Sequence, residues 1–590
     1  MKSAKTESRP HVPVCGSIPI VLGVTGHRDI PPADVPVLHA AARDYLTSTM
    51  VKSYSDTDII VLSALAEGAD RIVARAAIAA GCRLGVFLPF PADEYERDFE
   101  TPDSKREFRD LLAVADFVEV APRLPDAAPG NRDHGYVAVG VAIARHAHCM
   151  LAFWDGIADT KPGGTADVVR IYRTGIPMAH PLPEDTFSAL TCGPVEHFWT
   201  RRVSGTAAIT DQKLGTHQFL PPLSFGQTDD VPGLAHRERS RRERIYSCIA
   251  QFNLNTRSLS VGENTTAYTQ RYLIEDSALA ARWPLDDYKA KRLAGLYAAA
   301  DALSVKAQET RLRYFRWIIG LTLVAIFFEQ VYSGPFAIPI LLMIAIGWTL
   351  AATWLYVRIR QEKLEEKYLD YRTLAEAMRV QFFWHLSGIA ESPADHYLRN
   401  QRDELEWLSL AVRAANLPTQ ATCSPPDSGV GIPIAISAWV KGQLTYFLRC
   451  SSKQAKLAAR ITSLSRKWFY TAIAAVLLAA AFHTVANAWV PALHPLTIPI
   501  ILVVYSMLFA IAGLIKLYGN IMAYQEQSNR YGKMAALFGS CSKLLDGAMA
   551  SGDLAHAKLL LLMIGRQALN ENTEWLMLHR QRPIEVPLGG

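Results

Sequence analysis

From Ile18 to about His180 the chain alternates short apolar runs with amphipathic stretches of helical length. The runs are Ile18–Leu22, Asp58–Leu62, Leu84–Leu88, Phe117–Val120 and Cys149–Phe153. Strands that are apolar on both faces belong in a parallel sheet with helices on each side. The pattern therefore predicts a doubly wound α/β domain with a mostly parallel sheet. Residues Pro181 to Pro232, rich in Pro, Gly, Thr and Ser, read as a long linker or irregular extension. The mixed-charge run His236–Arg244 follows, with glutamates at helical spacing that favour a solvated helix face. Helical periodicity then runs from about Ala267 to Arg316 into four apolar segments: Trp317–Val331, Phe336–Val357, Phe469–Val490 and Ile498–Tyr518. About 20 apolar residues span a bilayer, so the first is marginal and the other three are comfortable. An all-α membrane region with about four transmembrane helices in two hairpins is expected.

Basic residues set the orientation. Arg311, Arg313 and Arg316 precede the first hairpin and Arg358, Arg360 and Lys363 follow it; Arg460, Arg466 and Lys467 precede the second and Lys516 closes it. The turns Tyr332–Pro335 and Thr484–Leu496 contain no Lys or Arg. By the positive-inside rule every large segment, with both termini, is cytoplasmic. Apart from Lys516 at the closing end of the fourth span, the acidic, basic and histidine residues within the spans are Glu329 and His483, both toward the outer ends, which argues against a voltage sensor or a proton-coupled pump. The third span is alanine-rich, allowing close helix packing and hence a homo-oligomer.

The 590 residues are enough for several folded units, and 50% apolar with 20% charged residues at a mean hydropathy of +0.08 fits a soluble part joined to a membrane part. The net charge of +5 gives no reason to expect nucleic-acid binding. Eight cysteines stand singly, without metal-ligand spacing, and fit a reducing compartment. The polar N-terminus has no signal-peptide core.

Ligands of doubly wound sheets bind at the carboxyl ends of strands. After the first run comes Gly23-Val-Thr25-Gly26-His-Arg28-Asp29, where glycines admit a ligand to the backbone, Thr25 offers a hydroxyl and Arg28 a planar fork for phosphate. The same residues also fit a tight turn with a solvated Arg. After the second run comes Glu67-Gly68-Ala-Asp70, entering a helix whose free amides face an anion; Asp70 equally fits a helix N-terminal charge. After the last run come Asp155 and then Pro162-Gly163-Gly164-Thr165, a turn able to wrap phosphate with backbone amides. His146 and His148 could share a strand face for a metal, but no carboxylate or cysteine cluster completes a site, so surface histidines and no metal are expected. Tyr95 could stack on a base, though a packed loop aromatic is the commoner fate.

Together the three glycine-bearing turns resemble the SLOG superfamily, the Rossmann-like fold of DprA proteins, LOG nucleotide phosphoribohydrolases and bacterial nucleotide-sensing defence domains. Leu62–Asp70 looks like the second strand and turn of the DprA branch, and Pro162–Thr165 like the LOG glycine motif. The resemblance covers roughly the first third of the chain. It implies a bound nucleotide-derived ligand, ADP-ribose-like or a cyclic nucleotide, held by Gly23, Thr25, Gly26, Arg28, Glu67, Gly68, Asp70, Asp155, Gly163, Gly164 and Thr165. LOG enzymes continue with Gly-Thr and a glutamate, whereas Ala166, Asp167, Val168 and Val169 follow here. Asp167 is offset by one helical residue, about 100°. The expectation is binding without turnover.

The hairpins look like an internal repeat, each followed by similar words, Leu405-Glu-Trp-Leu408 and Thr573-Glu-Trp-Leu576. This arrangement resembles the SLATT domain, a two-span module found beside SLOG domains. The expected organisation is a SLOG-like domain over residues 15–185, a linker and helical extension over 186–266, and SLATT-like modules over 267–417 and 434–585. By resemblance the protein is a multi-pass effector of the bacterial cytoplasmic membrane in antiphage defence, which breaches the bilayer when it senses a messenger made by a TIR-type or nucleotidyltransferase enzyme. The alternatives are a membrane-tethered nucleotide hydrolase and a regulated small-solute transporter.

Overall fold

The apolar runs become strands because each is buried on both faces, from β1 (Ile20–Gly26) and β2 (Ile59–Ser63) to β3 (Arg83–Leu88) and β5 (Cys149–Trp154), while β4 (Phe117–Val120) forms one edge. The computed structural model describes residues 17–122, 132–159, 161–175, 192–205, 209–223, 231–259, 273–274, 287–334, 336–396, 402–418, 428–489 and 494–581. These divide into two compact units. One is drawn from Met1–Ala300, Thr373–Ser428 and Gly565–Thr573, the other from Asp301–Arg372, Gly429–Ile564 and Glu574–Gly590.

The first unit is an α/β domain on a seven-stranded sheet of order β4-β3-β2-β1-β5-β6-β7. All pairings are parallel except the last, β6 (Val195–Trp199) with β7 (His217–Leu220). Both of these strands fall in the stretch expected to be a linker. The sheet therefore continues past residue 185, and a fragment ending there would lose two strands. Helices α1 (Val35–Asp44), α2 (Ala69–Ala79), α3 (Pro102–Val114), α4 (Arg132–His146), α5 (Thr165–Thr174) and α6 (Leu234–Leu259) complete the domain. The basic run on α6 is largely solvated, as its spacing predicts, but Arg242 is buried and pairs with the buried Glu196 of β6 at 2.5 Å. From β1 the chain steps outward through β2 to β4 and then crosses back to β5 on the other side of β1. The β1/β5 junction is thus the topological switch point, where such sheets open a crevice for ligand.

The apolar segments lie in long helices: α7 (Tyr288–Ser333), α8 (Pro339–Gln361), followed by α9 (Leu364–Leu386) and α10 (Arg402–Ala415), then α11 (Gly442–Trp489) and α12 (His494–Met522), followed by α13 (Tyr524–Ala550) and α14 (Leu554–Gln581). Among the described residues four helices are long and apolar enough to cross a membrane. Their large apolar side chains face outward, with Leu478 71% and Leu350 64% exposed, the surface of a membrane protein and not of a water-soluble one. Within the second unit, α7 packs on α8 through Ile318, Ala352 and Ile359. Gly519 of α12 lies so close to α11 that a Cβ there would meet Ile461 at 2.7 Å. The second span of each hairpin ends on one left-handed residue, Lys363 (φ +49°) after α8 and Ala523 (φ +47°) after α12. Pro335, Cys15 and Cys423 lie outside the described residues. The other six cysteines form no disulfide among the described residues.

Candidate functional site

A cavity of about 560 Å³ opens at the switch point. Its walls come from the turns after β1, β2 and β5, the inner face of α4, the start of α5 and the loop after β6. Thr25, Gly26, Arg28, Asp70, Asp155, Gly163, Gly164 and Thr165 all line it, as the strand-end positions predict. Gly23, Glu67 and Gly68 do not. Gly23 lies inside β1, and Glu67 turns away to accept a hydrogen bond from the Ser104 hydroxyl of α3.

Gly68 is needed for the turn itself. Its φ is +81°, and a Cβ would stand 2.4 Å from the carbonyl oxygens of both His27 and Arg28. Leu65 in the same turn also takes positive φ, +54°. Such strain persists only where the surroundings fix it. Gly68→Ala should cost at least about 2 kcal/mol and displace the Arg28 backbone. Thermal unfolding of the full chain checks this, and an unchanged midpoint would show that the β1 and β2 turns do not need this close approach.

Arg28 is the principal cation of the cavity. It is exposed, its guanidinium lies 5.1 Å from the centroid of the Tyr136 ring, and it makes no ion pair among the described residues. Although its surface reaches solvent, the surrounding cavity wall partly desolvates its charge; Tyr95, Tyr136, Asp70 and Asp98 outweigh that and hold its pKa above the ordinary arginine value. Arg202, by contrast, is bound to Asp29 at 3.1 Å. The Gly163-Gly164 turn brings the N-terminus of α5 against α4, since Gly163 has φ +70° and a Cβ would meet the Tyr136 backbone at 2.7 Å. Gly164 supplies no side-chain cap, so the first-turn amides of α5, those of Thr165, Ala166 and Asp167, lack intrahelical acceptors where the helix borders the cavity. Asp167 braces the turn from behind, where its carboxylate accepts the Gly163 N–H at 2.9 Å and pairs with Arg170.

The carboxyl of Asp70 lies at the cavity, 5% exposed, and accepts the Ala66 N–H at 3.3 Å. Burial dominates and pushes its pKa up to about 7, although the Ala66 amide and Arg28 oppose the shift. His27 Nε2 lies 3.1 Å from the Asp155 backbone nitrogen and 3.2 Å from Asp155 Oδ1. Burial lowers the imidazole pKa despite the nearby carboxylate, so the neutral ring accepts the Asp155 N–H. Asp155 Oδ1 in turn accepts the Ile157 N–H at 3.0 Å and fixes the loop after β5.

His27, Asp29, Tyr136, Lys161 and Arg202 are cavity residues that strand-end positions do not single out as ligands. His27 alone has a local signal, its place in the Gly-His-Arg turn. Tyr95 is a core aromatic, 1% exposed and edge-on to Phe99 at 5.0 Å, that also borders the cavity. The expectation of surface histidines is corrected. His148 is 3% exposed and receives the Val21 N–H on Nδ1, while His146 ends α4 and bonds the Ala142 carbonyl through its own Nδ1. Both sit where burial lowers their pKa to about 4. His146 ends the helix and His148 lies in the bend before β5, and no metal-binding cluster occurs among the described residues. No protein-family model matches the chain and no curated protein matches its sequence, so the reading of function rests on the cavity and the apolar helices themselves.

Proposed function

We propose that the α/β unit senses a phosphate-bearing nucleotide derivative, ADP-ribose-like or a cyclic nucleotide, and that its binding drives the apolar helices to breach the membrane. The observation that carries this reading is the convergence of Arg28, which has no ion pair among the described residues, and the start of α5, whose Gly164 N-cap has no side chain, on one cavity at the switch point. Phosphate seats on the amides and the guanidinium, and the ring of Trp154 at the cavity wall offers a surface for a base. In this reading the protein sits in a bacterial cytoplasmic membrane with both termini inside, and assembles as a homo-oligomer. It answers a messenger made by a TIR-type or nucleotidyltransferase enzyme during phage infection.

Calorimetry with the full chain in detergent tests the site, using ADP-ribose, NAD and cyclic dinucleotides as probes. At least one binds, and Arg28→Ala weakens it by roughly tenfold to a hundredfold, the worth of one charge-assisted contact of about 1.5–3 kcal/mol. Silence across the panel, or normal binding by Arg28→Ala, removes the assignment. One observation favours a second reading, a membrane-tethered nucleotide hydrolase: Asp70 places a carboxyl titrating near neutrality in the same cavity, as a general acid or base requires. Chromatography of the probe after long incubation separates the two readings, because a sensor returns it intact.

A further inference from the structure

A second cavity, of about 310 Å³, lies within the helical unit between α7, α8 and α12. It exists because two facing stripes are made of small residues. Thr322 and Ala325 on α7 oppose Ala345, Thr349 and Ala352 on α8, too short to fill the gap that Leu514 and Leu517 of α12 close from the side. Between its ends the wall is mostly apolar, and the Thr349 and Thr353 hydroxyls already donate to carbonyls of their own helix, Ala345 at 3.0 Å and Thr349 at 2.9 Å. Such a cleft among membrane-crossing helices takes a hydrocarbon guest.

The two ends differ in charge. At one end Glu329 lines the cleft. At the other, Phe315 lines it and stacks on Tyr518 with ring centroids 6.0 Å apart, while the Tyr518 and Tyr524 hydroxyls are 3.4 Å from each other. The neighbouring Arg316 is exposed, acts electrostatically on Tyr524 and forms no ion pair among the described residues. From Arg316 to Glu329 a helix rises about 20 Å. This exceeds the roughly 15 Å depth of one leaflet's hydrocarbon, half of a core about 30 Å thick.

We propose that this cleft binds one acyl chain of an anionic phospholipid, with the lipid phosphate held by Arg316 and the Tyr518–Tyr524 phenols and the chain running toward Glu329. The carboxylate at the far end repels an anionic head group and so fixes the orientation. The cation selects an anionic over a zwitterionic head group, whose own ammonium would lie against Arg316. This site is independent of the nucleotide reading.

Native mass spectrometry of the full chain in non-ionic detergent tests it, with phosphatidylglycerol and phosphatidylcholine of identical acyl chains as probes. One phosphatidylglycerol per chain should be retained, at least about fivefold more than phosphatidylcholine, and Arg316→Gln should erase that preference. Ala345→Phe, which fills the cleft, should remove retention of both. Arg316 is exposed and its replacement leaves the helix packing intact, so this variant decides the matter even where the cleft-filling one fails to fold. Inorganic phosphate at the same concentration should not displace the lipid, because the chain supplies most of the hold. Equal retention of the two lipids, unsaturated binding of several, or a preference unchanged in Arg316→Gln would overturn the proposal.

Discussion

At pH 8 the Asp70→Asn protein should unfold several degrees above the parent, and at pH 4 the two should melt together. Asp70 is buried at the cavity and its folded pKa is about 7 against an ordinary 3.8. A raised folded pKa means that the native state holds the proton more tightly than the unfolded chain. The stability this brings is fully present below the ordinary value and is lost as pH rises from about 4 through about 7. The complete difference is about 4 kcal/mol at roughly 1.4 kcal/mol per unit. Asparagine cannot ionise, yet its amide oxygen can still accept the Ala66 N–H, so the variant escapes the loss while keeping the bond. Thermal denaturation of the full chain in detergent at several pH values measures this. A gap between the two proteins that stays constant with pH would mean that Asp70 titrates normally.

The largest functional effect expected is all-or-none. Liposomes carrying the full chain should hold their dye until a binding nucleotide is added at a concentration just sufficient to fill the parent, and at that concentration neither Arg28→Ala nor a chain lacking α11 and α12 should release it. A ligand shifts a two-state equilibrium only by its differential affinity for the two states, so a site weakened tenfold to a hundredfold at Arg28 stays largely empty and undriven at a concentration that just fills the parent. A sedimentation assay showing that both variants still insert separates loss of gating from loss of insertion. Leakage indifferent to every nucleotide would sink gating even if the α/β unit bound its ligand well.

The parallel core of the sheet is legible in the sequence because its strands are buried on both faces and therefore almost purely apolar. β6 and β7 are not, because Glu196, His197, His217 and Gln218 interrupt them. A buried glutamate looks like a surface residue until its partner is known, and Arg242 lies 46 positions away. The site follows the same division. Arg28, Asp155 and Gly163–Thr165 can be read because strand ends place them by sequence alone. The Asp29–Arg202 pair and the Arg28–Tyr136 stacking arise only when separate crossovers come together, and Glu67 misleads because nothing local shows that Ser104 draws it away.

Lys363 and Ala523 have a mechanical meaning. Left-handed geometry costs a side-chain-bearing residue about 1–2 kcal/mol, and here it interrupts the run from α8 into α9 and from α12 into α13 at matching points of the two hairpins. Each is a strained joint between two helices. Letting it relax to right-handed geometry would fuse the flanking segments into one rod while releasing that energy. The two hairpins thus carry one small strain each, of the same sense and at the same place, which a glycine at either position would relieve.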